Sequence, residues 1–275
     1  MSTSTLLEAR ELGVSFGGLR AVNNVSFTVE SGQVFTLIGP NGAGKTTVFN
    51  LISRIYNATD GSIHFGGEDI SRIPPHEIAS RGIARTFQNI ELFEHATVLQ
   101  NLLIGCHRHV GTRFWQEAIF TTGVRVQERK IRRAAEEATE FLGIQHYRDA
   151  MVSGLPYGIR KVVELARGLV SQPRLLLLDE PSSGLNVEET AQMGAWIRGI
   201  QSGLGITVLM VEHDMSLVSS VSDRVLALNQ GEILCVGTPA QVQANPRVIE
   251  AYLGASDDLT ALRRDPPRLY ETENV

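Results

Sequence analysis

The chain has 275 residues, 43% hydrophobic and 20% charged, enough for one large domain or two small ones around a substantial core. A formal net charge of -5 argues against the basic face that nonspecific nucleic-acid binding uses. Cys106 and Cys235 stand far apart without metal-type spacing and read as two reduced thiols, and no apolar run approaches the ~20 residues that cross a bilayer.

Residues 1–10 are polar, then mixed, and carry Glu8, so they are not expected to be a signal peptide. The chain is expected to be cytosolic, with any membrane role supplied through a partner. Residues 6–29 and 62–65 alternate loosely around Gly17-Gly18 and Gly66-Gly67, which suggests a small antiparallel sheet. Val34–Ile38 is a continuous apolar run, the pattern of a buried strand, and it enters a glycine-rich loop directly. A helix is expected over 47–55. From 127 to 142 the apolar residues Ile131, Ala134, Ala135, Ala138, Phe141 and Leu142 fall at helical spacing, with a solvated face of Glu and Arg opposite. A second helical pattern covers 159–170. These predict a helical subdomain, about residues 88–165, that interrupts the sheet. Residues 175–178 and 206–211 read as two more buried strands. After Gly254 the composition turns polar, with Pro266-Pro267, and 255–275 is expected to be a loosely packed tail. Apolar strands alternating with helices give an α/β domain over 1–254 with a mainly parallel sheet.

Gly39-Pro40-Asn41-Gly42-Ala43-Gly44-Lys45-Thr46 matches G-x-x-x-x-G-K-[ST] in full, between a buried strand and a helix. Glycines let backbone N–H groups turn inward around phosphates, and the following helix adds its positive end. Lys45 suits the β- and γ-phosphates and the Thr46 hydroxyl suits Mg²⁺, with Thr47 as the next residue of the nucleotide-binding stretch. The run 175–178 is followed by Asp179-Glu180-Pro181. Asp-Glu after leucines is a common strand end; the phosphate loop upstream decides for function. Asp179 would then hold Mg²⁺ through water, and Glu180 would act as the general base on the attacking water. His213, preceded by Glu212, follows a third core strand and can face the γ-phosphate, although an isolated histidine is more often structural. Spacing alone leaves both readings open.

Together these residues resemble the nucleotide-binding subunits of ABC transporters, over about residues 5–254. The resemblance implies a P-loop NTPase core with a parallel sheet, an antiparallel β subdomain and an inserted helical subdomain. It implies that Phe16, which alone would pass as a strand-core residue, stacks on adenine. It places Gln88, within Arg85-Thr86-Phe87-Gln88-Asn89, at the glutamine that reaches Mg²⁺ and the attacking water and joins the core to the helical subdomain. Ser183-Gly184-Leu185-Asn186 matches the segment that crosses between two subunits, and His213 matches the switch histidine.

The signature motif departs from the family. Leu155-Pro156-Tyr157-Gly158-Ile159 stands where Leu-Ser-Gly-Gly-Gln is usual. The serine that bonds the γ-phosphate of the opposite subunit's ATP is replaced by Pro156, which has neither hydroxyl nor N–H. Proline suits a first helical turn, and the Gly158 N–H and helix dipole can still face a phosphate. The expected contact is weaker by about 1–2 kcal/mol.

A narrower resemblance is to the branched-chain amino acid importer branch. It rests on 85–93, on 97–102, on Gly237-Thr238-Pro239 and on 245–254, with residues 106–126 matching that branch's insertion. The implied cofactors are ATP and Mg²⁺. The implied partners are a second, different ATP-binding subunit, two integral-membrane permease subunits and, indirectly, a substrate-binding protein, at the cytoplasmic face of the inner membrane. Nucleic acid is not an expected partner. The solute is left open among branched-chain and other amino acids, amides and urea. A non-transport ABC ATPase is disfavoured by the single motif set, the absence of coiled-coil patterns and the acidic balance. A degenerate, nucleotide-responsive subunit is motivated by Pro156 alone.

Overall fold

The computed structural model describes residues 4–86, 90–105 and 122–254. Its strands are, in chain order, β1 (Thr5–Phe16), β2 (Leu19–Glu30), β3 (Val34–Ile38), β4 (Asp60–Phe65), β5 (Glu68–Asp69), β6 (Ile83–Arg85), β7 (Leu175–Asp179), β8 (Thr207–Val211), β9 (Arg224–Asn229) and β10 (Glu232–Gly237). They form two sheets. The first, β2-β1-β4-β5, is antiparallel, as the loose alternation anticipated. Its two hairpins turn at the expected pairs: Gly17 and Gly18, then Gly66 and Gly67, all take positive φ, which two-residue turns of this twist require.

The second sheet runs β10-β9-β3-β8-β7-β6 and is parallel except for β10. All five residues of each of β3, β7 and β8 are buried, as expected of strands covered on both faces. Successive side chains supply opposite faces. Leu175, Leu177, Leu209 and Val211 join a cluster with Leu7, Val25 and Phe49, under the antiparallel sheet. Leu176, Leu178, Val208 and Met210 face the other way and join Val163, Ala166, Met193 and Ile197. Truncating any of these leucines to alanine removes about 2–5 kcal/mol.

Helices Val98–Gly105, Thr122–Phe141 and Tyr157–Val170 pack on one another through Val98, Leu102, Ala135, Ala138, Val162 and Val163 in that second cluster. They lie between β6 and β7 in the chain, and the last of them runs five residues past the expected bound at 165. The first helix after β3 runs Lys45–Ile52, two residues earlier at its start and three at its end than the 47–55 pattern suggested. Gly44 at φ 97 caps it, so Lys45 already takes helical geometry. Arg54 stops it by entering the left-handed region and donating its Nε to Ile73 O. Parallel strands put their carboxyl ends along one edge, where α/β proteins bind ligands. Because the spatial order is β3-β8-β7-β6, the ends at Ile38, Val211, Asp179 and Arg85 follow one another along that edge.

Candidate active site

The phosphate loop is shaped by glycines that no other residue could replace. Gly39 has φ 150, and a Cβ there would lie 2.2 Å from Leu228 O. A Cβ on Gly44 would lie 2.7 Å from Ala21 O. Ala43, buried inside the curl, donates its N–H to Pro40 O and accepts from Gly231 N. Lys45 is buried, and its Nζ donates to Gly39 O at 2.6 Å and Pro40 O at 3.0 Å. The ammonium is therefore held in the mouth of the loop. Asn41, Gly42 and Thr46 are exposed at its rim, and Thr47 is half-buried. With the helix beginning at Lys45, its first-turn N–H groups have no intrahelical acceptor and face the anion site.

Asp179 ends β7 and is 3% exposed. Its Oδ2 accepts from Arg85 Nη2 at 2.9 Å, across two neighbouring strand ends. Arg85 is itself fixed by Asn50 Oδ1 at 2.7 Å and Ser53 Oγ at 2.8 Å, both from the first helix and its end. Burial pushes the Asp179 carboxyl above its usual range, and the Arg85 guanidinium opposes that shift. Removing one member of such a pair strands the other as a buried charge. The second oxygen, Oδ1, is buried and accepts no hydrogen bond among the described residues.

Glu180 follows with φ 48, a conformation that costs a non-glycine residue of the order of 1 kcal/mol and recurs at functional sites. Its N–H donates to Val211 O at 2.9 Å, and its carboxylate Oε2 lies 3.7 Å from His213 Nδ1. The Glu180 carboxylate raises the His213 pKa above its usual value, against a smaller lowering by burial. His213 is thus brought to Glu180, which settles its place in the fold though not its role.

Lys161, on the helix Tyr157–Val170, is buried near the same carboxylates. Burial pushes its ammonium down, while Glu164, Glu212, Glu180 and Asp179 pull it up. Neither Lys161 nor Arg85 stood out in the sequence. A sign existed for Arg85 alone: a cation ending a short strand whose other residues, Ile83 and Ala84, are apolar asks for a buried anion, whereas Lys161 stands among Arg160, Glu164 and Arg167 and gives no such sign.

Phe16 is 43% exposed, so it is not a strand-core residue; its ring meets Tyr56 edge-on with centroids 5.0 Å apart. Gln88 lies outside the described residues. In the signature segment Leu155 is buried and Pro156 and Tyr157 are exposed. Pro156 precedes the helix at the cap position instead of entering its first turn, with φ -55 and ψ 151, because that extended ψ lies outside the helical range. Tyr157 Oη donates to Ser183 O at 3.3 Å, and its ring covers Gly184. A Cβ on Gly158 would meet Glu189 Oε1 at 2.4 Å. This segment therefore packs on 183–189 of its own chain. A groove of about 390 Å³ lined by Val187, Gly194, Arg198, Asp214 and Leu217 contains none of 39–46, Asp179 or Glu180 and is separate from the cleft.

Comparison with known proteins shows what the chain as a whole is similar to. A match to the family described as "ABC transporter" covers residues 22–183, and one to "Branched-chain amino acid ATP-binding cassette transporter" covers 232–258. The chain is 45% identical over 249 residues to the high-affinity branched-chain amino acid transport ATP-binding protein BraF of Pseudomonas aeruginosa, covering 90% of this chain and 98% of that one. It is 40% identical to LivG of Escherichia coli K12, described in the same words, with the same coverage. The crystal structure of the ADP conformation of MJ1267, an ATP-binding cassette of an ABC transporter, superposes with a TM-score of 0.81 at 30% identity, covering 92% of this chain and all of that one. A nucleotide-free ATP-binding cassette superposes at 0.78 with 29% identity, covering 90% and 99%.

Proposed function

This chain belongs to the ABC transporter family and is a transport-coupled ATPase, and we propose that it powers an importer of branched-chain amino acids as one of two ATP-binding subunits. The observation that carries the reading is the meeting, at one sheet edge, of a lysine-filled phosphate loop, a buried aspartate and a left-handed glutamate beside a histidine. The choice of solute is supported by the descriptions of BraF and LivG and by the match over 232–258.

In this reading Lys45 exchanges the Gly39 and Pro40 carbonyls for the β- and γ-phosphates, and the residues of 39–47 other than Pro40, which has no N–H, supply backbone donors. The exposed Phe16 edge stacks on adenine. Thr46 and Asp179, with Gln88, hold Mg²⁺; the buried, unsatisfied Asp179 Oδ1 fits a cation, bound directly or through water. When bound, Mg²⁺ neutralises charge on the phosphates. Glu180 takes a proton from the water that attacks the γ-phosphorus as the bond to ADP breaks, and His213, held by Glu180, steadies the γ-phosphate.

The partners in this proposal are a second, different ATP-binding subunit, two integral-membrane permease subunits and, through them, a substrate-binding protein, with the chain peripheral on the cytoplasmic face of the inner membrane. No helix among the described residues is long and apolar enough to cross a membrane. Residues 155–158 face the partner's ATP, and the helical subdomain expected over about residues 88–165 meets the permease. The deciding experiment is Glu180→Gln in the assembled transporter. Hydrolysis should fall ~10²–10⁴-fold while ATP binding survives; undiminished hydrolysis removes Glu180 from the role of base.

A further inference from the structure

Glu212 has no solvent exposure, and its two carboxylate oxygens hold two different loops. Oε1 accepts from Ser182 N at 2.8 Å, in the loop that leaves Glu180. Oε2 accepts from His213 N at 2.9 Å and Asp214 N at 3.2 Å, at the start of the histidine loop. The Glu212 backbone N–H meanwhile donates to Leu37 O at 3.2 Å, on the strand that feeds the phosphate loop. Strand register explains how one residue reaches all three. Asp179 pairs with Val211 and Leu37 pairs with Val211, so the chains leave the sheet side by side at this point.

Three N–H donors satisfy a buried carboxylate well, whereas isolated burial of such a group is strongly unfavourable. A residue with only a packing duty here would be apolar, like its predecessors Leu209, Met210 and Val211. We propose that Glu212 is a positioning residue that clamps the Glu180 loop to the His213 loop, keeping the base and the histidine in one relative position during turnover. This rests on the reading of Glu180 as the general base.

Glutamine tests the clamp because it has the same shape but a single acceptor oxygen, so one loop would face an amide NH₂ in place of an acceptor. Aspartate keeps the charge but is one methylene short of spanning both loops. In the assembled transporter, both Glu212→Gln and Glu212→Asp should lower kcat by about ten- to a hundredfold, the scale expected for a small misplacement of reacting groups. The KM for ATP should stay within about twofold, since the phosphate loop and Lys45, which carry most of the ATP contacts in this reading, are left in place. Hydrogen exchange of the full-length chain should speed up together in peptides covering 180–186 and 212–216, and stay unchanged over 39–46. Wild-type kcat in either folded variant overturns the proposal. So does a fall in kcat accompanied by a matching rise in KM and faster exchange throughout, which is the behaviour of a merely structural residue. Glu180→Gln serves as the control. Normal hydrolysis there defeats the general-base reading, and the role of Glu212 falls with it; an inactive Glu180→Gln beside fully active Glu212 variants defeats the clamp alone.

Discussion

The loop at 39–46 and the segment at 155–158 both bring glycines to a helix start, and both are proposed to face a phosphate, yet they are built differently. The first is complete within its own chain. Its glycines are forced by backbone approach to Leu228 O and Ala21 O, and Lys45 already fills its mouth. The second is spent on internal packing: Gly158 makes room for Glu189, Tyr157 covers Gly184, and Pro156 brings no donor to the helix start. In the proposed function the first side holds nucleotide through groups of its own chain. The other offers an exposed rim whose contribution depends on what another molecule brings to it.

That contrast can be broken or sharpened by experiment. The largest effect is expected from Lys45→Ala. Losing two or more charge-assisted bonds, at about 1.5–3 kcal/mol each, should weaken ATP binding by roughly 10²–10⁴-fold in calorimetric titration of the purified chain. A loss under about tenfold would mean the loop's backbone, and not its lysine, carries the affinity. A smaller gain is expected from Pro156→Ser. Restoring one hydroxyl donor worth about 1–2 kcal/mol should raise the turnover of the assembled transporter by no more than about 5–30-fold. No change at all would show that residues 155–158 are not limited by the missing donor.

The smallest effect concerns pH. His213 should titrate above its ordinary value of about 6.5, and Glu180→Gln should bring it back down, as read from imidazole NMR signals. The sign follows from a folded-state pKa that is raised. The pairing's contribution to stability is fully present below the unfolded value and disappears as pH rises through the folded one. A His213 titration that ignores Glu180→Gln would detach the histidine from the base.

Much of the site could be read in the chain because its chemistry is local. Lys45 and Thr46 lie within one turn of Gly44, and Asp179 and Glu180 are adjacent at a strand end. Phe16 shows the limit of such reading: an aromatic ending a strand looks like core until the Gly17-Gly18 turn is seen to carry it to the surface. Arg85 and Asp179 stand 94 positions apart, and Ser182 and Glu212 stand 30 apart. No local pattern couples them.

The sequence by itself therefore determined the glycine-rich loop, its lysine, the adjacent carboxylates at a strand end and the α/β class, since short-range φ/ψ demands and strand-period burial impose these wherever such residues occur. Only the tertiary structure decided which of the remaining charged groups meet. The order β3-β8-β7-β6 does not follow the chain, and its register alone puts Arg85 on Asp179, His213 beside Glu180 and Glu212 between two loops. Those are the contacts on which the proposed role of Glu180 as an aligned base depends.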